Sequence, residues 1–132
     1  MIKHSNRVYI SQQDYNTISS LISSSKDFDN LSIELLDEEL RNAELFENPA
    51  AMPKNVVMVY SIVNYTSLVS GEHHVVQIVP PQEVNIDLKR VSILSPVGSA
   101  LIGLREGNQI QWPMPSGQVE TLRIDIVEQR SK

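Results

Sequence analysis

Apolar positions in the first third of the chain recur at the spacing of an α-helix. Tyr15, Ile18 and Ile22 lie three or four residues apart, so that they share one helix face. Ser11 precedes them and can cap the first turn, because a serine hydroxyl accepts hydrogen bonds from free backbone N–H groups. The pattern predicts a first helix over residues 12–23.

A second amphipathic pattern follows a polar stretch that reads SSSKDFDN. Its apolar stripe consists of Ile33, Leu36, Leu40 and Ala43. Asn30 or Ser32 is suited to cap this second helix, and Glu34, Glu38 and Arg41 face away from the stripe. Because a short loop joins the two patterns, we expect the helices to pair as an antiparallel hairpin.

The period of the pattern changes after two prolines in residues 48–55. Alternation then predicts strands over residues 57–63 and 75–79, with Gly71 in the connection between them. We therefore expect a helical hairpin in residues 1–47, a linker in residues 48–55 and a sheet domain in residues 56–132.

Glycines and prolines fix the backbone of residues 95–117. Ser95 and Pro96 are a helix cap and a first helical residue, and Gly103 and Gly107 permit the positive φ that ends a helix and starts a turn. A strand, a type I turn at residues 114–117 and a returning strand at 119–127 follow. The sequence thus predicts an α+β fold, with a mainly antiparallel sheet and one short helix after the hairpin.

One gapless set of residues carries a family resemblance. The set consists of Ser95, Pro96, Gly98, Ala100, Leu101, Gly103 and Gly107, with the turn at residues 115–117 downstream. In this pattern the chain resembles the C-terminal domain of the GreA/GreB transcript-cleavage factors. Trp112 and the upstream run LLDEELRNAE favour the short members of that family, the regulators of nucleoside diphosphate kinase (Rnk). The resemblance implies a C-terminal domain with an FKBP-like fold, without isomerase activity, since fold does not carry function.

The resemblance also implies a partner, RNA polymerase. A domain of this type is expected to dock at the mouth of the polymerase secondary channel through the segment around Ser95, Pro96 and Gly98. The hairpin would point into the channel, where Asp27, Asp29, Glu34 and Glu38 would steer it along a basic surface. Such a protein would regulate transcription by occupancy, in competition with the Gre factors, and the family name links it to nucleoside diphosphate kinase.

Two alternatives remain open at this stage. Asp27 and Asp29 at the hairpin tip could share a magnesium ion with polymerase and promote transcript cleavage. Length favours the non-enzymatic function, because a second helix of about 15 residues spans only ~22 Å and Gre hairpins are about twice as long. The other alternative is a binding module for a different protein, such as the kinase itself.

Charge is concentrated in the predicted hairpin. The whole chain has a net charge of −5, and residues 26–47 hold eight acids and two bases, a balance of −6, which leaves about +1 for the remainder. An acidic field favours basic protein surfaces and disfavours nucleic-acid backbones, so we expect no direct nucleic-acid binding. The alternative is that these acids form only the solvated face of a helix.

Signatures of catalysis are weak in this sequence. The chain has no cysteine, and the adjacent His73 and His74 would point to opposite faces of a strand. No serine lies in a nucleophile-elbow pattern, and Gly98 and Gly103 lack the lysine of a phosphate-binding loop. We therefore expect no catalytic residue, metal or cofactor.

The same composition bears on location. No apolar stretch approaches the ~20 residues of a membrane span, so we expect a cytoplasmic protein. We also expect a monomer, although no residue pattern determines the oligomeric state. Trp112, the single tryptophan, is expected in the core, with an anchor for a partner as the alternative.

Overall fold

The described part of the chain contains three α-helices, seven β-strands and two short 3-10 helices. The computed structural model describes residues 6–25, 30–114 and 116–130. The helices are α1 (Gln12–Ser24), α2 (Leu31–Asn42) and α3 (Pro96–Leu101). The strands are β1 (Tyr9–Ser11), β2 (Glu44–Phe46), β3 (Ile62–Ser67), β4 (His73–Val79), β5 (Arg90–Ser92), β6 (Gln109–Pro113) and β7 (Val119–Glu128).

Both predicted N-terminal helices are confirmed, and each begins at a side-chain cap. The Ser11 hydroxyl accepts a hydrogen bond from Asp14 N at 3.1 Å, and Asn30 Oδ1 accepts one from Ile33 N at 3.3 Å. Helices α1 and α2 contact each other. Their connection at residues 26–29 lies outside the described residues, and the antiparallel hairpin stays a prediction. No helix in the described ranges has both the length and the apolar character needed to cross a bilayer.

A parallel pair of short strands, β1 and β2, was not predicted from the sequence. Tyr9 pairs with Glu44, and Ser11 pairs with Phe46. The rings of Tyr9 and Phe46 contact each other, with centroids 6.1 Å apart. Because β1 directly precedes α1 and β2 follows α2, this pair holds the residues before the first helix beside the residues after the second.

The second sheet has five strands in the order β5-β4-β3-β7-β6. Neighbouring strands are antiparallel except for β4 and β5, which are parallel. The register of β3 against β7 shifts between Asn64 and Tyr65, where Asp125 is the extra residue on β7. Three helices and a mainly antiparallel sheet in the described residues confirm the α+β class.

The predicted strand at residues 57–63 is wrong in its position, because β3 begins only at Ile62. Met58 and Ser61 form a turn, in which Ser61 N donates to Met58 O at 3.0 Å and Met58 N donates to the Ser61 hydroxyl at 2.9 Å. Tyr60 has a φ of 78° inside this turn, which is incompatible with a continuous strand. Val57 and Val59 are nevertheless buried, so their alternation reports burial and not strand pairing.

The structure confirms the predicted start of α3 and the two predicted glycine turns that follow it. Helix α3 starts after Ser95, and Gly103 and Gly107 have φ values of 81° and 87°. Strand β6 then leads to a turn in which Gly117 N donates to Met114 O at 2.9 Å. The predicted turn residue Pro115 lies outside the described residues.

A continuous hydrophobic cluster joins the N-terminal helices to the sheet. It includes Ile18 of α1, Leu36 of α2, Leu101 of α3 and Trp112 of β6. Trp112 is fully buried, which confirms the core interpretation of the single tryptophan. The helical residues thus lie on the same core as the sheet, while the division at residues 48–55 into two domains stays a prediction.

Candidate partner-binding surface

Helix α3 lies directly on the backbone that leaves strand β5. The Ser95 hydroxyl accepts a hydrogen bond from Gly98 N at 3.1 Å and donates one to Ser92 O at 2.6 Å. Any Cβ atom at position 98 would collide with the same Ser92 carbonyl oxygen. A glycine is therefore required here, because the first turn of α3 approaches the β5 backbone too closely for a side chain.

This geometry separates the predicted docking residues by role. Gly98 is buried, and the Ser95 side chain is used within the cap, so both hold α3 in place. Pro96 and Val97 are half-buried and present the outer surface of the first turn. A partner that docks on this segment would contact Pro96 and Val97.

A groove runs beside α3, which we call the α3 groove. Its volume is about 290 Å³, and its lining residues are Tyr65, Ser67, Ser70, Glu72, His74, Val97, Met114, Glu120 and Leu122. Helix α3, strands β3, β4 and β7, and the turn after β6 all contribute to it. Val97, Met114 and Leu122 provide apolar surface in the groove.

Aromatic and acidic side chains make up the other side of the α3 groove. The rings of Tyr65 and His74 stack, with centroids 5.1 Å apart and planes 24° apart. Glu120 Oε1 accepts a hydrogen bond from the Ser67 hydroxyl at 2.6 Å, and Glu72 Oε1 lies 3.7 Å from His74 Nε2. Burial, with a smaller contribution from Glu120, raises the pKa of Tyr65. The groove thus combines apolar walls with two carboxylates and can accept a segment that carries apolar and basic side chains.

The acidic helix α2 packs against α3. Glu34 is exposed and Glu38 is half-buried. Asp37 forms an ion pair with Arg41 at 3.6 Å, one turn along the same helix. The structure therefore places the predicted acidic helix next to the predicted docking segment. The two predicted tip acids, Asp27 and Asp29, lie outside the described residues.

Thr66, His73 and Asp125 meet on the face of the sheet opposite the α3 groove and resemble a hydroxyl–imidazole–carboxylate trio. The Thr66 hydroxyl donates to Asp125 Oδ2 at 2.6 Å, and His73 Nδ1 lies 3.2 Å from that hydroxyl. Because the hydroxyl proton is bound by the carboxylate, the histidine is not placed as a base toward it. Hydrogen bonds from Thr66 and Arg123 lower the pKa of Asp125. The trio is therefore a surface hydrogen-bond network.

We expect Thr66→Val to raise the pKa of Asp125 toward its ordinary value of 3.8, because the variant removes the largest cause of the lowered value. A lowered pKa means that this carboxylate stabilises the folded protein above pH 3.8, and that this contribution is lost as the pH falls through the folded-state pKa. An NMR titration of the Asp125 side chain measures the shift. Thr121→Val on the neighbouring strand is the control, and an unchanged Asp125 titration in Thr66→Val would contradict the interpretation.

His73 and His74 occupy opposite faces of β4, as predicted. His73 lies near Asp125 at 3.5 Å, whereas His74 stacks on Tyr65 in the α3 groove. In the ranges covered by the structure, no group of three or more histidine, aspartate or glutamate side chains is placed to hold a metal ion.

The α3 groove itself was missed by sequence reasoning. Its residues come from several separate elements, and only Val97 lies in the docking segment that the resemblance indicated. The alternation of β3, in which Tyr65 and Ser67 point inward, was the available signal. That signal marks a face of the sheet but does not show that the face is partly open.

Comparison with known proteins identifies relatives of this chain. A family model described as "Transcription elongation factor, GreA/GreB, C-term" matches residues 52–129. The "Regulator of nucleoside diphosphate kinase" of Escherichia coli K12 is 36% identical over 89 residues, which are 67% of this chain and 65% of that protein. A "Transcription elongation factor GreA" of Nitrosococcus oceani is 34% identical over 82 residues, which are 62% of this chain and 52% of that protein.

A solved structure extends the similarity to the N-terminal helices. It is titled "Prokaryotic transcription elongation factor GreA/GreB from Nitrosomonas europaea", and it superposes with a TM-score of 0.74 at 33% identity. The alignment covers 93% of this chain and 98% of that chain. The alignments with the two curated relatives, in contrast, span 65% and 52% of their lengths.

Proposed function

Since the chain belongs to the GreA/GreB family, we propose that it is a non-enzymatic transcription regulator that docks on RNA polymerase and competes with the Gre factors there. The docking site on the polymerase is the mouth of the secondary channel. The C-terminal sheet domain, in its FKBP-like arrangement, makes the contact, and the N-terminal helices form a short hairpin that points inward. Regulation follows from occupancy of the channel entrance.

The observation that carries the proposal is the packing of the acidic helix α2 against α3, the helix that contributes Val97 to the groove. Val97 and Met114 supply apolar surface to the groove, and Glu72 and Glu120 supply negative charge. Interfaces of this kind combine an apolar centre that gives affinity with charges that give orientation and a fast encounter. A partner surface with apolar and basic side chains is complementary to both parts.

Helix length supports occupancy over cleavage. Helix α1 has 13 residues and α2 has 12, so at 1.5 Å per residue neither exceeds about 20 Å. The hairpins of the cleavage factors are about twice as long as the hairpin expected here. A tip that stops short of the polymerase active centre can block the channel but cannot deliver acidic residues to the catalytic metal.

The first test is a pull-down of core RNA polymerase from bacterial lysate with the tagged full chain, followed by a cleavage assay on stalled elongation complexes. We expect co-purification of the core enzyme and suppression of Gre-stimulated transcript shortening. If the chain itself shortens the transcripts with magnesium, and Asp27→Asn with Asp29→Asn abolishes this activity, it is a cleavage factor and the proposal is wrong.

Charge reversal of α2 tests the role of the acidic helix. We expect the double variant Glu34→Lys, Glu38→Lys to bind polymerase more weakly than the wild type at low salt, because it converts two attractive charges into repulsive ones. The difference should shrink as ionic strength rises, since salt screens exposed charges. Binding is measured as a function of salt by fluorescence anisotropy.

The matched control for charge is Asp87→Lys combined with Glu128→Lys. This double variant makes the same change in net charge with two acids outside α2, in the loop before β5 and at the end of β7. Equal weakening in both double variants would mean that net charge matters and that α2 has no specific role.

The name of one relative supports a second candidate partner. The Escherichia coli protein is named a regulator of nucleoside diphosphate kinase. A direct complex with that kinase would be captured by the tagged chain from purified kinase in the absence of polymerase. Capture of the kinase without any binding to polymerase would replace the first proposal with this one.

A further inference from the structure

A second cavity lies on the side of α1 and shares no lining residue with the α3 groove. Its volume is about 560 Å³, within the range of small-molecule sites. Met58, Val59, Pro80 and Pro49 provide apolar surface, and Asp14 of α1 provides a carboxylate. The cavity therefore pairs one acidic group with an apolar surround, and the proposed function makes no use of it.

The Asp14 carboxylate is held in a fixed position. Its Oδ2 accepts a hydrogen bond from Val59 N at 3.1 Å, which ties α1 to the turn before β3. Burial raises its pKa above the ordinary 3.8, and hydrogen bonds from Val59 and Ser11 offset part of this effect. The fixed position means that a ligand finds the acceptor atoms already oriented.

Asp14 forms no ion pair with any residue in the described ranges. Arg130 also lines the cavity, but its Nη2 bonds Glu128 Oε1 at 2.9 Å. Burial destabilises the charged form of a carboxylate that has no cation beside it. A cation that binds in the cavity would stabilise this charged form.

From these observations we propose that the cavity is a binding site for a small primary amine. The ammonium group meets the Asp14 carboxylate, and the alkyl chain lies against Met58, Val59 and Pro80. A negatively charged ligand is disfavoured next to Asp14, because the carboxylate would repel it. Its lining residues are separate from those of the α3 groove, and amine binding can be measured on the chain without polymerase.

The test is an NMR titration of the full chain with n-butylammonium, and with n-butanol as the neutral probe of similar shape. We expect n-butylammonium to bind in the millimolar range or tighter and to shift the amide signals of Asp14, Thr17 and Val59. The neutral alcohol should bind at least about tenfold more weakly, because it lacks the charge-assisted hydrogen bond to the carboxylate.

Two variants make the result specific to this cavity. Asp14→Asn keeps an acceptor for Val59 N but removes the charge, and should weaken n-butylammonium at least about tenfold. Thr17→Leu keeps the carboxylate but fills part of the cavity. This variant should abolish the amide shifts caused by n-butylammonium. Asp87→Asn in the loop before β5 makes the same chemical change away from the cavity; it is the control and should leave amine binding unchanged.

Three results would overturn the proposal. They are no amide shifts with n-butylammonium, equal affinities for the amine and the alcohol, and undiminished binding by a folded Asp14→Asn or Thr17→Leu variant. Folding of each variant is checked from its unfolding midpoint. Inhibition of Gre-stimulated cleavage can succeed or fail without changing any of these outcomes, so the two proposals are tested separately.

Discussion

The variant Gly103→Ala is expected to lower the free energy of unfolding by about 3 kcal/mol, the sum of a left-handed backbone cost and a steric clash. Gly103 has a φ of 81°, and a Cβ there would lie 2.5 Å from Val8 Cγ1 and 3.2 Å from Ile10 Cδ1. Strand β1 cannot easily move away from position 103, because Tyr9 N donates a hydrogen bond to Gly103 O at 3.0 Å. Urea unfolding followed by circular dichroism measures the loss.

Gly107→Ala separates the two contributions. Gly107 has a φ of 87°, but no atom lies within 4 Å of the Cβ position. Only the backbone cost applies, so we expect a loss of about 1 kcal/mol. Equal losses of unfolding free energy in the two variants would contradict this account. They would mean that a Cβ at position 103 does not clash with Val8 and Ile10.

The second large effect concerns the α3 groove. Val97→Asp is expected to weaken polymerase binding about 30-fold or more, the range of interface residues at the centre of a contact. The variant replaces an apolar wall of the groove with a charged side chain, so the apolar contact is lost and a carboxylate must be desolvated when the partner binds. Affinity for core polymerase is measured by fluorescence anisotropy with labelled protein.

The control for this variant is Val75→Asp. Val75 is 37% exposed on β4, where it pairs with Asn64 on the face of the sheet opposite Tyr65 and the groove. The same change in charge and hydrophobicity is thus made away from the proposed contact. Equal affinity of Val97→Asp and wild type, with both proteins folded, would exclude the groove as the docking surface.

The sequence was most informative where the backbone has few choices. Ser95 and Pro96 define the start of α3, and Gly103 and Gly107 adopt the positive φ values that their positions predicted. These residue types act through local sterics and capping, so no knowledge of distant contacts was needed. The same locality explains why α1 was located to within one residue of its observed ends, whereas α2 has 12 residues and is shorter than the predicted length of about 15.

The pairing of strands that are distant in the chain could not be predicted from the sequence. Strands β1 and β2 have three residues each, too few for a period to be visible, and Tyr9 finds its partner Glu44 across both helices. The start of β3 was misplaced because Val57 and Val59 alternate as in a strand while Tyr60 turns the chain. Burial and strand pairing produce the same alternation, and only tertiary structure separates them.

The α3 groove and the cavity at Asp14 were also beyond prediction. A groove forms where elements from distant parts of the chain pack together and leave a gap between them. Local sequence patterns do not show where such gaps occur. Asp14 illustrates the difficulty, because it lies in the first turn of α1 and its carboxylate accepts a hydrogen bond from Val59 N, 45 positions later in the chain. The steering role of Glu34 and Glu38 remains a prediction that the charge reversal tests.

Gre-stimulated transcript cleavage in stalled elongation complexes, titrated with the full chain, distinguishes blocking from catalysis. We predict that the chain suppresses cleavage in a concentration-dependent way, that additional Gre factor restores cleavage, and that Val97→Asp shifts the inhibition curve to higher concentration. Undiminished cleavage at saturating concentrations of the chain, or cleavage stimulated by the chain alone, would contradict occupancy of the polymerase channel as its mode of action.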